Sequence, residues 1–574
     1  MVRDFDCSDI PFFRGLDMNS ARGLSFSNSN KKLFLLLLIW VLVTSLNINK
    51  AVHIDDTGHL EIAKEIIKNP FHPMSGSVNW ENSAEPIYVL NQPHLFFYLL
   101  AACIYFFGES EIAFHLLISL FSLICILFFY FLVINLKLRN PTAWTAFFAL
   151  GPGFIPSQNI MTDIPMVSFW LVFFWAILHP VSPMQGSKYY VFASLAATAA
   201  ILTKYLSLIL LPILVIDILL KKRWNSIWVI AIPAFSLAGW SLFNYLDYGG
   251  IHILERKNFP FGFWNGIYNS INWIIALGAV APFSFLIIRD LYRMKIGKII
   301  VLAGVLFFFV TTLIRTPYFY TGLKVGILGG GFFGNGLSLL LICFFCGYQR
   351  LWKVKYEYKD KERQLVILLL WILGSMAFII LFTPFPAVRH VIVVIPAFLL
   401  ILGVHTYKRV MSRFFYGAVV ITVLSGVILS LSDWEYANIY RVEASRIKNQ
   451  LKSTSTIWFL GHWGWQWYAK KAGMKEYDAQ RTNFREGDYV IIPELVRKQE
   501  LLKEHRISLL KKFEITVEPT PITLIRTMSI WPWGGYYAFS LEGNSLPWSV
   551  TNQPLEKFEV FEVCDKPKNK LTAP

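Results

Sequence analysis

Long apolar runs separated by short charged connections dominate the chain as far as Leu431. Runs of about 17 to 20 residues recur, which is enough for a helix to cross roughly 30 Å of hydrocarbon. Beyond Leu431 the pattern changes to mixed charge and short alternating segments, as in a water-soluble domain. The pattern therefore predicts a polytopic α-helical membrane protein with a C-terminal soluble α/β domain.

The apolar runs predict thirteen membrane-spanning helices. They cover 33–49, 112–135, 141–157, 165–179, 188–202, 206–220, 226–246, 270–288, 298–314, 326–347, 365–382, 390–405 and 414–431. The run 141–157 is the least regular, because glycines and prolines interrupt it. A further stretch, 93–107, is predicted as a re-entrant or interfacial helix. If it crossed the membrane, the cation-rich connections after 135 and 220 would lie outside, against the cytoplasmic preference of Lys and Arg.

The order of the spans divides the chain into three parts. The first span follows two lysines and is not followed by a small-residue cleavage site, which predicts a retained signal anchor with a cytoplasmic N-terminus. Residues 1–32 are then a cytoplasmic tail, 33–431 the membrane domain and 432–574 an extracytoplasmic α/β domain. Within the membrane domain, 50–111 is an external loop that carries interfacial helices.

Composition supports a membrane protein and argues against nucleic-acid binding and a zinc site. Hydrophobic residues make up 55% of the chain and charged residues 16%, against about 25% charged residues in soluble domains. The formal charge of +16 comes mainly from short connections, as the cytoplasmic preference of Lys and Arg predicts, so it does not indicate nucleic-acid binding. Cys343 and Cys346 have zinc-like spacing, but they lie in an apolar run, which favours core packing.

An acidic pair, Asp55 and Asp56, follows the first span. Adjacent carboxylates beside an apolar helix are poorly solvated and repel one another, which raises a pKa and favours one of them as a base. A helix cap is the alternative, because Asp56 precedes a predicted helix over 57–68 and a carboxylate there stabilises free backbone N–H groups. The two roles are compatible, with one residue for each.

A third acid, Asp163, lies between the third and fourth spans, two residues before Pro165. Such a pattern is also typical of a capped helix start. Its interest is that the predicted topology places Asp163 on the same face of the membrane as Asp55 and Asp56.

Several basic residues are predicted on the outer face, where the cytoplasmic preference of Lys and Arg does not explain them. They are Lys204, Arg256, Lys257, Arg315, Lys324, Arg389 and His390. An anionic substrate at the outer leaflet explains them, because Arg and Lys stabilise phosphate and the charge that develops on a leaving group. For any one residue, snorkelling towards lipid headgroups explains its place equally well.

The first external segment is also rich in histidine. It contains His53, His59, His72 and His94, without a spacing that brings two onto one helical face. The more plausible metal hypothesis is one divalent cation, Mg, Mn or Zn, that bridges Asp55 or Asp56 to a phosphate.

These residues together resemble the GT-C superfamily of glycosyltransferases that use polyprenyl-phosphate sugars. The resemblance is to the branch of protein O-mannosyltransferases and the bacterial aminoarabinose transferase of lipid A, and it covers 33–431. It rests on the acidic pair, the stretch 92–95 before an interfacial helix, and Asp163 before Pro165. Lys204 and Arg389 also match. This chain departs from the branch in having Asp-Asp for Asp-Glu, and Gln-Pro-His for His-Pro-Pro.

The resemblance implies an enzyme of a bacterial inner membrane that takes a sugar from an undecaprenyl-phosphate donor outside the cell and gives it to an acceptor hydroxyl of lipid A, another glycolipid, a glycan or a protein. Asp55 is then the general base of an inverting displacement, and Lys204 and Arg389 hold the departing phosphate. Asp163 and Asp56 share the roles of orienting the acceptor, supporting the base, capping the helix or contacting a metal. The remaining substrate-binding candidates are His94, His390, Arg256 and Arg315.

Two other classes remain open, a transporter or flippase of lipid-linked saccharides and a non-catalytic assembly subunit. Paired broken helices or repeated halves are typical of transporters, and the sequence contains neither. In the C-terminal part, a helix over 433–452, a strand over 456–460 and a strand over 488–494 predict the α/β domain, which we place in the periplasm. The run 461–468, GHWGWQWY, is predicted as a core aromatic cluster rather than a sugar-stacking surface.

Overall fold

The computed structural model describes residues 26–89, 92–179, 186–255, 262–315, 319–351, 360–405, 413–452, 454–528, 535–537 and 546–564. Most of the predicted N-terminal tail, and the candidates Arg256 and Lys257, lie outside these residues.

The described chain is mainly helical. The helices of its first half are α1 (Phe26–Ser45), α2 (Asp56–Lys68), α3 (Leu95–Phe107), α4 (Glu111–Asn135), α5 (Pro141–Ala149), α6 (Asp163–Leu178), α7 (Gly186–Ile201), α8 (Leu210–Leu220), α9 (Ala231–Tyr248), α10 (His252–Glu255) and α11 (Phe263–Ala279). They are followed by α12 (Ile288–Arg293), α13 (Lys295–Arg315), α14 (Phe319–Leu351), α15 (Asp360–Phe382), α16 (Val388–Val391), α17 (Ile395–His405), α18 (Arg413–Gln450), α19 (Trp463–Lys471) and α20 (Lys503–Ile507). Short 3-10 helices cover Ile87–Val89, Tyr205–Ile209, Trp224–Ile230 and Pro282–Ile287.

Six of the described helices are long and apolar enough to cross a membrane, judged by length and composition. They are Glu111–Asn135, Trp224–Tyr248, Lys295–Leu313, Leu323–Tyr348, Asp360–Phe382 and Arg413–Gln450. Shorter apolar helices cover Leu95–Phe107, Asp163–Leu178, Tyr205–Leu220 and Ile395–His405. The predicted class, a polytopic helical membrane protein, is confirmed, and the number of thirteen spans stays a prediction.

The least regular predicted span, 141–157, is helical only at its start. Pro141 occupies the first turn of α5, where its missing N–H costs no hydrogen bond. The helix ends at Ala149, and turns and bends follow as far as Thr162. Glycines and prolines therefore end this helix early and produce a buried irregular segment that leads to Asp163.

One helix joins the membrane domain to the C-terminal domain. The sequence predicted a span ending at 431 and a separate amphipathic helix from 433, with a domain boundary at 432. The structure instead has one continuous helix, α18, with buried residues along its whole length. The change from apolar to mixed composition occurs within α18, so composition alone placed a break where the backbone has none. Because one helix spans both parts, it fixes the C-terminal domain against the membrane domain.

The C-terminal domain has the predicted α/β organisation. Its strands are β3 (Ile457–Phe459), β4 (Lys475–Glu476), β5 (Tyr489–Pro493), β6 (Leu509–Val517) and β9 (Glu556–Val563), which form one sheet in the order β4-β3-β5-β9-β6. β3 is parallel to β4 and β5, with α19 as the connection, whereas β9 is antiparallel to β5 and β6. A two-stranded pair, β7 (Ile525–Arg526) and β8 (Ser549–Val550), lies beside it.

The segment 50–111 contributes a small hairpin as well as helices. Its strands, β1 (Ser77–Asn79) and β2 (Ala84–Pro86), are antiparallel. The predicted interfacial helix is α3, which follows the hairpin and begins at Leu95. Its first backbone N–H donates to Leu202 O at 3.1 Å, so the start of α3 is joined to the segment that carries Lys204.

A buried carboxylate, Glu556, joins the sheet to α18. Its Oε1 accepts hydrogen bonds from the backbone nitrogens of Glu494 and Leu495, each at 2.9 Å. The Tyr440 hydroxyl donates to its Oε2 at 2.9 Å. Burial raises the pKa of Glu556 from 4.5 to about 7. Between pH 4.5 and about 7, the folded protein therefore keeps a proton on Glu556 that the unfolded chain has already lost.

We expect the Glu556→Gln variant to lose part of the pH dependence of stability. Between pH 4.5 and about 7 the folded state binds more protons than the unfolded state, so the free energy of unfolding of the native protein falls as pH rises through this range. Glutamine does not titrate, so this slope decreases. Thermal unfolding in detergent at pH 5, 6, 7 and 8 measures it, with exposed Glu518→Gln as the control. Equal slopes in native protein and Glu556→Gln would contradict the assignment.

Candidate active site

The turn that carries the acidic pair has an uncommon backbone conformation. Ile54 has φ of 47°, which a β-branched residue rarely adopts, so surrounding contacts hold the turn. The His53 backbone nitrogen donates to Asp56 Oδ2 at 2.9 Å, and the Asp56 backbone nitrogen donates to His53 O at 3.0 Å. As a result, the Asp56 carboxylate is hydrogen-bonded within the turn, whereas Asp55 has partners outside it.

Asp55 forms an ion pair with Arg389, which lies 334 positions later in α16. Arg389 Nη1 donates to Asp55 Oδ2, and the two side chains are 27% and 16% exposed for Asp55 and Arg389. Burial by itself raises the pKa of Asp55, but the charge and hydrogen bond of Arg389 outweigh it and hold that pKa below its ordinary value. Asp55 is therefore ionised at neutral pH.

A second ion pair lies between Asp163 and Lys204. Asp163 is the first residue of α6, and Lys204 directly precedes the 3-10 helix Tyr205–Ile209. Lys204 Nζ donates to Asp163 Oδ1 at 2.7 Å, with both side chains largely buried. Asp163 thus lies at the start of a helix, as the sequence suggested, and also forms an ion pair with Lys204.

One cavity of about 340 Å³ brings these two pairs together. Its polar lining includes Asp55, Asp163, Lys204, Arg389 and His390, all of which the sequence named as candidates. Its apolar lining includes Leu206, Phe378, Ile379, Phe382 and Phe385, and its remaining wall includes Trp80, Glu81, Glu85, Trp463, Arg497 and Tyr537. Residues from the segment 50–111, the membrane helices and the C-terminal domain therefore share one site.

Asp56 takes no part in lining this cavity among the described residues. Its side chain is fully buried, and burial raises its pKa well above the ordinary value. The sequence predicted a raised pKa for one member of the pair, and that member is Asp56. Its structural role is to close the turn before α2, not to face a substrate.

The acidic pair does not provide the geometry of a shared metal site. Asp55 binds the Arg389 guanidinium, whereas Asp56 accepts a backbone N–H on the other side of the turn. In the described part of the chain, no group of three or more His, Cys, Asp and Glu residues is arranged to hold a metal ion. These residues do not fit one ion bridged by both carboxylates, and the divalent cation stays a prediction.

The other candidates have mixed outcomes. His390 lines the cavity, and its Nδ1 accepts the Ala387 backbone N–H at 3.1 Å. His94 is buried against Phe97 and Trp240, and within the described residues it is not part of the cavity wall. Burial lowers the pKa of His94 well below the ordinary value, which suits a neutral packing residue.

Two predicted cations cannot be placed in the site. Arg256 lies outside the described residues. Arg315 is the last residue of α13, and its side chain is outside what the structure describes. Both remain predictions.

His59 lines the cavity, although its sequence pattern predicted no catalytic role for it. It lies four residues after Asp55, and this spacing places two side chains on one face of a helix. A carbonyl oxygen only accepts, so His59 Nδ1 carries a proton and donates it to Ile160 O at 2.9 Å, and burial lowers the pKa of His59. Helical spacing from Asp55 was the signal that would have identified it.

A buried charge network behind the cavity was also missed. Lys50 Nζ donates to Asp433 Oδ2 and, at 2.5 Å, to Asn159 Oδ1. The hydroxyls of Thr527, at 2.6 Å, and Tyr537 donate to Asp433. Lys50 and Asp433 have side chains with no exposed surface. The network joins the exit of α1, the segment before Asp163, α18 and the C-terminal domain.

The aromatic run 461–468 packs directly on the turn of the acidic pair. Thr57 Oγ1 donates to Trp463 O at 2.6 Å, and the Val52 backbone nitrogen donates to the Tyr468 hydroxyl at 2.9 Å. At Gly464 an added Cβ would lie 2.3 Å from Val52 O, so only glycine allows this close approach. The predicted core cluster is confirmed, since Trp465 and Trp467 are buried. Its additional role is to hold the segment 52–57 in place.

Comparisons with known proteins support the predicted family resemblance. Residues 91–243 match the model of the family described as dolichyl-phosphate-mannose-protein mannosyltransferase. This segment includes α3, Asp163 and Lys204. The predicted resemblance to the protein O-mannosyltransferases of the GT-C superfamily is thereby confirmed over this segment. Members of this superfamily are glycosyltransferases. A search of curated protein sequences found no match.

Solved structures of two kinds are similar at low identity. ArnT from Cupriavidus metallidurans bound to undecaprenyl phosphate has 11% identity and a TM-score of 0.37, over 82% of this chain and 93% of that one. Its apo state gives 14% identity and the same TM-score of 0.37, over 81% and 92%. The oligosaccharyltransferase AglB from Archaeoglobus fulgidus, in complex with an inhibitory peptide and a dolichol-phosphate, has 11% identity and a TM-score of 0.46, over 82% and 70%.

Proposed function

We propose that this protein is a glycosyltransferase of a bacterial inner membrane, which transfers a sugar from a polyprenyl-phosphate donor to an acceptor hydroxyl at the outer face. The observation that carries the proposal is the convergence of Asp55, Asp163, Lys204 and Arg389 in one cavity. These residues are far apart in sequence, and two carboxylates beside two cations are suited to deprotonate a hydroxyl and hold a phosphate. The matched family model, which is named for a polyprenyl-phosphate sugar, supports the donor class.

The donor phosphate binds at Lys204 and Arg389. Arg389 Nε is buried without a hydrogen-bond partner in the described part of the chain, so this guanidinium has a further N–H to donate. A guanidinium binds phosphate by two parallel hydrogen bonds. The prenyl chain lies along the apolar lining at Phe378 and Phe382, near the C-terminal end of α15.

Donor binding also activates the base. In the structure Arg389 is paired with Asp55, which keeps Asp55 ionised but makes it a weak base. A donor phosphate competes for the same guanidinium, and as Arg389 turns towards it the carboxylate loses a stabilising partner. The pKa of Asp55 then rises in the substrate complex, which improves proton transfer.

The reaction is a single displacement with inversion. Asp55 takes the proton of the acceptor hydroxyl, and the acceptor oxygen forms a bond to the anomeric carbon. The bond between that carbon and the phosphate oxygen breaks, and the electron pair leaves with polyprenyl phosphate. Lys204 and Arg389 stabilise the negative charge that grows on the phosphate. Asp163 positions Lys204 through their ion pair, and no step here depends on a metal ion.

We expect the Arg389→Gln variant to lose most activity and to change its response to donor. Removing a cation that stabilises the leaving phosphate lowers the turnover number by about 10²- to 10³-fold. Loss of the guanidinium also raises the donor KM. Release of polyprenyl phosphate from a panel of synthetic polyprenyl-phosphate sugars measures both, with exposed Arg506→Gln as the control. Native turnover by Arg389→Gln would contradict the role of this residue.

A further inference from the structure

The outer wall of the cavity comes from two parts of the chain. Trp80 and Glu81 belong to the tip of the β1–β2 hairpin, and Trp463 and Arg497 belong to the C-terminal domain. None of these four side chains takes part in the proposed donor site or in proton transfer. The wall therefore has surface for a second substrate.

This wall is built as one unit. The Glu81 carboxylate pairs with Arg497, and His462 Nε2 hydrogen-bonds to Glu81 O at 2.9 Å. The next hairpin residue, Asn82, accepts the Glu500 backbone N–H at 2.8 Å through its side chain. Contacts on both backbone and side chains fix the hairpin tip, so its aromatic and charged groups keep defined positions.

Trp80 places an aromatic ring next to the base. An added Cβ at Gly58 would lie 3.2 Å from the Trp80 ring, so the ring packs on the first turn of α2, which begins directly after Asp55. The apolar face of a sugar ring packs on an indole, and carboxylate and guanidinium groups beside it hydrogen-bond the hydroxyls. Trp80 with Glu81 and Arg497 supplies this combination.

Charge distinguishes the two ends of the cavity. The donor end has two cations, Lys204 and Arg389, balanced by Asp55 and Asp163. The outer wall has two carboxylates, Glu81 and Glu85, and one guanidinium, Arg497. Arg497 is already paired with Glu81, so among the described residues this wall has no unpaired cation for an acceptor phosphate, whereas an uncharged sugar needs none.

We propose that the wall of Trp80, Glu81, Trp463 and Arg497 is the acceptor subsite and that it takes an uncharged saccharide. This inference rests on the proposed glycosyltransferase function. It gives the C-terminal domain a direct part in acceptor choice. The acceptor hydroxyl reaches Asp55 because Trp80 and Asp55 line the same cavity and the Trp80 ring packs on Gly58, three residues after Asp55.

The test uses purified full-length protein, a panel of synthetic polyprenyl-phosphate sugars as donors, and three acceptor probes. The probes are uncharged allyl glycosides, the corresponding sugar phosphates and a Ser/Thr-containing peptide. We expect transfer to an uncharged glycoside. In Trp80→Leu and Arg497→Gln, the acceptor KM rises roughly tenfold or more, while the donor KM and acceptor-independent release of polyprenyl phosphate stay unchanged. Trp224→Leu and Arg506→Gln, both exposed, are matched controls.

The possible failures are distinguishable. If no donor is cleaved with any probe while the protein is folded, the proposed function fails as a whole. If the native protein transfers only to the sugar phosphates or only to the peptide, the acceptor class is wrong. If transfer to an uncharged glycoside occurs and both variants keep the native acceptor KM, the subsite is elsewhere.

Discussion

We expect the Asp55→Asn variant to lose sugar transfer by about 10²- to 10⁴-fold, the range that a positioned general base contributes. Asparagine has nearly the same shape, and its side-chain oxygen still accepts a hydrogen bond from Arg389, so the site keeps its geometry. What is lost is the ability to take the proton of the acceptor hydroxyl. The measurement is the rate of acceptor-dependent release of polyprenyl phosphate at saturating donor, together with the thermal unfolding midpoint.

Two controls make this result specific. Asp360→Asn changes the same chemical group on an exposed side chain at the start of α15 and is expected to keep native activity. Native-like thermal unfolding of Asp55→Asn shows that the fold is intact. Full activity of Asp55→Asn would exclude Asp55 as the base and leave His59, which shares the cavity, as the next residue to test.

The largest effect on stability is expected at Asp433. Replacing it with Leu leaves the Lys50 ammonium buried without its counter-charge, and breaking such a buried pair costs about 3–5 kcal/mol of unfolding free energy. The Thr527 and Tyr537 hydroxyls also lose their acceptor. Unfolding in detergent measures the loss.

A double-mutant cycle tests the coupling between the two charges. In Lys50→Met combined with Asp433→Leu, no charge is left buried and unpaired, so we expect the double variant to be more stable than either single variant. Asp433 acts by positioning the segment that carries Asp55, and among the described residues it does not line the cavity. We therefore expect the double variant to keep measurable transfer. Additive losses from the two single changes would show that Lys50 and Asp433 act independently.

The general class of the fold was predictable because apolar length is a strong signal. Helix α4, for example, is a 25-residue apolar segment whose first turn follows a capping serine, Ser110, which accepts the Ala113 backbone N–H at 3.4 Å. The glycines and prolines of 141–157 indicated its irregularity, whereas the continuity of α18 was not predictable in the same way. It depends on tertiary packing, since the close contact of Gly426 with Leu150 O seats α18 against the irregular segment after α5.

Part of the site was predictable for a different reason. Asp55, Asp163, Lys204 and Arg389 interrupt apolar sequence on one predicted face of the membrane, and charged groups at such places are usually functional. Their pairing was not predictable, because Asp55 and Arg389 are brought together only by the folded chain. The sequence therefore predicted a raised pKa for a free acidic pair, whereas Arg389 lowers that of Asp55.

The contribution of the C-terminal domain was harder to predict. The run 461–468 contains aromatic residues that suit a core, and nothing in their spacing indicates contact with residues 52–57. That contact requires backbone groups, such as Trp463 O and Val52 N, which carry no signal in sequence. In sequence, Arg497 likewise resembles an ordinary surface cation, and only the folded chain shows its ion pair with Glu81 of the hairpin tip.

The central claim is that the cavity cleaves a polyprenyl-phosphate sugar and that Asp55 takes the acceptor proton. The most direct measurement is mass spectrometry of polyprenyl phosphate and glycosylated acceptor formed by purified native protein and by folded Asp55→Asn. We predict both products from the native protein and at least about a hundredfold less glycosylated acceptor from the variant. Equal product formation by the two proteins, or none by native protein with any donor in the panel, would contradict the account.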